Sequence, residues 1–206
     1  AHPDDTEFGM GGTAAKLSQN HDVYQLILCK GNRPGYESVE TSRFEAVIKN
    51  SKELGFIETK IKSYSDVTLD TIPSLELNSL ISTELYKIKP NIVYTHCQHD
   101  IHKDHRIVSH AVRVITRPRK DSTVKELYEF TIPGSTEWGL QVDRFNVFED
   151  ITHVADIKMK CVNRYSTELR PSPDPCSLEQ IDTRDKYHGS LCGYNKAEIF
   201  KLVYKR

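Results

Sequence analysis

The stretch Gly9-Met10-Gly11-Gly12-Thr13-Ala14-Ala15-Lys16-Leu17, followed by Val23-Tyr24-Gln25-Leu26-Ile27-Leu28-Cys29, decides the architecture. Glycines ahead of small and apolar residues read as a tight turn feeding a short helix. The apolar run Val23–Cys29 has the length of a buried strand, and Gly31 and Pro34 close it. Working outward, Phe44, Val47, Ile48, Ser51 and Leu54 follow helical spacing up to a stop at Gly55, and residues 57–64 alternate as a strand does. Leu77, Leu80, Ile81, Leu85 and Ile88 share a helical face that Pro90 ends before the strand 92–94. A further helix is expected over 104–114, a strand over 127–132, a strand over 145–151 and a helix over 155–165. Pro171, Pro173 and Pro175 mark an irregular loop. Short buried strands alternating with helices give an α/β chain, expected as a Rossmann-like, mostly parallel sheet with helices on both faces.

The 206 residues suffice for one core without disulfides, and no linker-like shift in composition divides them, so residues 1–206 are expected to form one domain. Against 29 Asp+Glu, 28 Lys+Arg leave a net charge of −1, which disfavours nucleic acid or an anionic membrane as partner. No apolar run nears the ~18 residues of a membrane span. Cysteines at 29, 97, 161, 176 and 192, with no CxxC pair, read as reduced thiols of a cytoplasmic protein.

Two histidine- and aspartate-rich segments carry the chemistry. The first is His2-Pro3-Asp4-Asp5 at the front; the second is His99-Asp100-Ile101-His102-Lys103-Asp104-His105, just after the strand 92–94. In open α/β sheets ligands gather beyond the carboxyl ends of the strands, so both segments are expected on one rim. Two neutral imidazoles and a carboxylate, with positions left for water, suit catalytic zinc and also ferrous iron. His2 and Asp5, three apart in a turn stiffened by Pro3, are spaced to reach one ion, with His105 as third ligand. Asp4 between them is placed as general base toward water, and His102 as a donor to a developing oxyanion. Arg43 is a candidate for gripping a sugar hydroxyl or phosphate or for pairing with a carboxylate such as Glu40, Asp100 for touching substrate or, the favoured reading, making an Asx-turn, His188 for lining the cleft or capping a helix, and Trp138 for stacking on a sugar or packing in a core. His21, His96, His110 and His153 read as structural or surface groups.

AHPDDTEFGMGG followed by HDIHKDH resembles the LmbE/PIG-L family of zinc-dependent N-acetylglucosaminyl deacetylases. Arg43 ahead of Leu54-Gly55, and Ala197, Glu198 and Phe200, resemble further family segments. Lys103 stands where the family often has proline. The resemblance implies a Rossmann-like fold, His2, Asp5 and His105 as metal ligands, Asp4 as base, His102 as oxyanion stabiliser and Asp104 as the residue orienting a histidine. It also implies removal of an acetyl group from an amino-sugar compound or glycoconjugate, and a strand upstream of Ala1 bracing His2. Two other readings are a hydrolase of another amide or thiol conjugate, and a non-catalytic nucleotide- or sugar-binding module. Against the second, no GxGxxG follows a strand.

Overall fold

The structure is a computed structural model describing residues 1–32, 38–141 and 144–206; Pro34 lies outside them. The helices are α1 (Asp5–Leu17), α2 (Ser38–Leu54), α3 (Ser74–Ile88), α4 (Lys103–Thr116), α5 (Ala155–Asn163) and α6 (Leu178–Ser190). The strands are β1 (Tyr24–Cys29), β2 (Glu58–Tyr64), β3 (Ile92–His96), β4 (Glu126–Phe130), β5 (Val147–Asp150) and β6 (Ala197–Lys205). The α/β class therefore holds. β1 and β2 pair in parallel from Tyr24 opposite Glu58. The second sheet, ordered β3-β4-β6-β5, is mixed: β3 and β4 are parallel, β4 and β6 antiparallel.

The chain divides into two compact units. The first comprises Ala1–Asp66, Ile132–Gly134 and Phe148–Ile199. Its core gathers Phe8, Ile27, Val47, Val162, Tyr165 and Ile181, with a second cluster of Ala15, Leu54, Ile151, Val154 and Cys161. The second unit comprises Val67–Thr131, Ser135–Val147 and Phe200–Arg206, where α3 and α4 bury Leu77, Ile81, Val108, Ala111 and Val112. None of the five cysteines forms a disulfide, and Cys29, Cys97 and Cys161 are buried.

One local expectation is overturned. Gly9, Gly11 and Gly12 do not form a turn ahead of a helix; they lie inside α1, which starts at Asp5 and kinks at Met10 (φ −151°, ψ 24°). Packing explains the glycines. A β-carbon on Gly12 would sit 2.8 Å from the Ile151 side chain, and one on Gly11 would sit 3.2 Å from Lys158 Cγ. Close approach of α1 and its neighbours therefore favours these glycines over the helix preference of larger residues.

Candidate active site

In the first unit, the backbone N–H of His2 donates to Asp5 Oδ2 at 2.5 Å, and His2 Nδ1 lies 3.4 Å from that oxygen. Both residues are buried, His2 at 8% and Asp5 at 6% exposure. The turn is braced from behind: Tyr165 Oη donates to the Pro3 carbonyl at 2.6 Å and lies 3.0 Å from Glu7 Oε1, which also accepts from Asn50 Nδ2. Burial pushes the Glu7 carboxyl up to about 8. Asp4 is raised to about 6, first by desolvation and then by the Asp5 carboxylate, with Arg43 and His2 pulling the other way.

Arg43 is drawn into this cluster. Its Nη1 donates to the Gly31 carbonyl at 3.1 Å and to Asp66 Oδ2 at 3.0 Å, while Nη2 contacts Glu168. A guanidinium so held is a fixed counter-charge for Asp4. His2, Cys29 and Asp66 also offer atoms within 4.8 Å of one another at the ends of β1 and β2, a group of metal-ligand type.

In the second unit, β3 delivers the chain into the loop ahead of α4. Asp100 has no exposed surface; Oδ1 accepts from the His102 N–H at 2.8 Å and Ser135 Oγ at 2.5 Å, and Oδ2 from Thr136 Oγ1 at 2.6 Å. His105 Nδ1 lies 3.2 Å from Asp100 Oδ1. Burial works to raise the Asp100 carboxyl, but His105, Ser135 and Thr136 outweigh it and hold it at about 2. Asp100 thus makes the turn favoured from sequence, with its oxygens held by the His102 N–H, Ser135 and Thr136. A proton on His105 Nδ1 facing Asp100 leaves the Nε2 lone pair for a ligand bond.

His102 precedes α4, and its Nδ1 accepts from the Asp104 N–H at 3.2 Å. The neutral ring then carries its proton on Nε2 as a donor. The Asp104 carboxylate accepts from the Val67 N–H at 2.7 Å and the Leu69 N–H at 3.3 Å, so its side chain fixes that loop while its backbone orients His102. The rings of His96 and His105 stack at 4.3 Å, and those of His102 and His105 at 4.5 Å.

His188 is buried on α6, and its charged neighbours are Arg184 and Lys158; desolvation first, then those two cations, push its imidazole down to about 4 from 6.5. The unfolded chain therefore takes up this proton before the folded one, and stability falls as pH drops from about 6.5 toward 4. Asp185, raised to about 6 by burial, contributes the opposite slope. Urea titrations across this window should show His188→Gln losing less stability than wild type; parallel curves would remove His188 from the account.

Sequence reasoning missed Asp66, Glu168, Tyr165, Ser135 and Thr136. Each reaches its partner across many residues, and nothing local in the sequence announces such a pairing.

Residues 1–116 match the family described as PIG-L: GlcNAc-PI de-N-acetylase. Diacetylchitobiose deacetylase of Thermococcus kodakarensis is 25% identical over 223 residues, covering 98% of this chain and 80% of that protein. Among solved structures, N,N′-diacetylchitobiose deacetylase from Pyrococcus horikoshii has a TM-score of 0.75 at 20% identity, covering 98% of this chain and 81% of that one. A 4-carboxy-2-hydroxymuconate hydratase from Pseudomonas putida shares the fold at a TM-score of 0.73 and 18% identity, over 100% and 94% of the two chains. That likeness extends the fold to a different reaction, so fold alone does not assign chemistry. Among the described residues, no helix is long and apolar enough to cross a membrane. Because the matched span exceeds half of the chain and takes in both the HPDD and HDIHKDH segments, this protein belongs to the PIG-L (LmbE) family.

Proposed function

We propose that residues 1–206 form one Rossmann-like deacetylase domain that hydrolyses the acetamide of an N-acetylglucosamine-type sugar compound with a divalent metal held by His2, Asp5 and His105. The observation carrying this reading is the family match over the span that contains both segments. The donor set fits such an ion. His105 Nδ1 lies against Asp100, which sets Nε2 as its ligand-type nitrogen, and His2 and Asp5 adjoin one another. Two imidazoles and one carboxylate leave positions open, and zinc or ferrous iron suits them. When bound, the metal supplies Lewis acidity toward the acetyl carbonyl and water.

The protein's own groups do the proton work. Asp4, with its carboxyl raised by burial and Asp5, takes the proton of the attacking water. His102 Nε2–H donates a hydrogen bond to the oxyanion of the tetrahedral intermediate, and Asp4 returns the proton it took from water to the amine as acetate leaves. Arg43 offsets the carboxylates around Asp4, and Asp100 and Asp104 hold His105 and His102 in their tautomers.

The test is metal-linked acetate release. Protein stripped by a chelator should release no acetate from N,N′-diacetylchitobiose, and one equivalent of zinc or ferrous iron should restore release. Failure to take up stoichiometric metal sinks the proposal. Uptake without acetate from any N-acetylated sugar would favour the alternatives, a different amide or the hydration chemistry of the Pseudomonas neighbour.

A further inference from the structure

The segment 135–140 seats an indole in water and ties its backbone to the second histidine cluster. Ser135 and Thr136 donate to Asp100, and the Leu140 N–H donates to the His99 carbonyl at 2.7 Å. Between these anchors runs a single 3-10 turn, Thr136–Trp138, closed by the Gly139 N–H on the Thr136 carbonyl at 3.0 Å. Gly139 permits the seating: a β-carbon there would lie 2.4 Å from the His99 carbonyl oxygen.

Two large apolar side chains stand exposed on this segment beside the exposed Glu137. Trp138 is 73% exposed and Leu140 68% exposed. The alternative of a core-packing tryptophan is excluded by that exposure. Leaving an indole hydrated forgoes hydrophobic stabilisation, and the pinned backbone fixes where its Cα is presented. A rigid aromatic plate with a polar edge, presented beside a binding loop, has the form used to recognise a ligand that is flat and apolar on one face and hydroxylated at its rim. A pyranose ring presents such a face through its C–H bonds.

We infer that Trp138 is a sugar-stacking subsite that receives the ring next to the one bearing the scissile acetamide, so that the enzyme favours a disaccharide or longer glycoconjugate over free N-acetylglucosamine. The inference rests on the deacetylase reading. Its anchor is the chain of contacts from the Trp138 N–H to the Ser135 carbonyl and from Ser135 Oγ to Asp100, which orients His105. The ring is a specificity group and takes no part in proton transfer.

Trp138 is the chain's one tryptophan, so its emission reports the site directly. Titrating the metal-loaded Asp4→Asn variant with N,N′-diacetylchitobiose should shift or quench that emission, and N-acetylglucosamine should do so far less. In the otherwise wild-type enzyme, Trp138→Ala should raise KM for the disaccharide about three- to tenfold with kcat and melting temperature kept, and leave N-acetylglucosamine turnover unchanged. Trp138→Phe should recover part of the loss. Equal kinetic effects on both sugars, or unchanged emission at saturating disaccharide, would overturn the subsite. Wild type that shifts emission but releases no acetate would sink the deacetylase reading and still support sugar stacking.

Discussion

Exchanging Asp4 for Asn is expected to lower acetate release by about 10²–10⁴-fold, while metal content and melting temperature stay at wild-type values. The substitution keeps the shape of the side chain and removes its ability to accept a proton. Asp4 is flanked in sequence by Pro3 and Asp5, and the Pro3 carbonyl is held by Tyr165, so the turn is braced by groups other than Asp4 itself. Its carboxyl also has an opposing cation at hand: Arg43, fixed by Asp66 and Glu168, faces the charge that desolvation and Asp5 disfavour. A neutral amide at position 4 relieves repulsion with Asp5, which is why stability should not suffer. His105→Ala supplies the contrast: it should lose activity together with bound metal. Turnover by Asp4→Asn within tenfold of wild type would assign the base role to another group.

The parts legible in sequence were those written locally. Leu26, Ile27, Leu28 and Cys29 announce a buried strand because they are contiguous, and β1 is found there. The two histidine- and aspartate-rich segments are legible because their titratable residues crowd within a few positions, His2 to Asp5 and His99 to His105. The supports of those segments are not local. Asp100 meets Ser135 and Thr136 across the intervening β4, and Asp104 reaches back to Val67 and Leu69. Helix α6 escaped notice because two of its inward residues, Asp185 and His188, are polar, which spoils the apolar stripe that betrays a helix. The parallel expectation for the sheet missed β6, whose antiparallel pairing with β4 depends on the return of a distant segment rather than on its own pattern. The glycines of α1 misled in the opposite sense, since propensity marks them as breakers while packing against Ile151 and Lys158 places them in the helix.

The largest stability effect is expected from Lys158→Met, about 3–5 kcal/mol, or a fall in melting temperature of about 6–20 °C for a chain of this length. Lys158 is 1% exposed, with its ammonium 2.8 Å from Asp185 and 2.9 Å from Glu198, themselves 3% and 2% exposed. Burial alone would neutralise such a lysine; the two carboxylates outweigh it and raise its pKa, keeping it charged. Glu198 has further partners, accepting from the Gly12 N–H at 3.0 Å and the Thr13 N–H at 2.7 Å. Those N–H groups lie just past the Met10 kink and head the second half of α1, so the carboxylate caps a helix start created by the kink. Methionine preserves the stem that packs on Gly11 but leaves two buried carboxylates facing one another. Removing all the charges together should cost much less, because no ion is then stranded. Thermal melts of Lys158→Met against the triple variant Lys158→Met/Asp185→Asn/Glu198→Gln test this, and a triple variant no more stable than the single would mean that Lys158 acts through packing rather than charge. Since Asp5 opens the same helix that Glu198 caps, the single variant should also bind the divalent metal more weakly than the triple variant does.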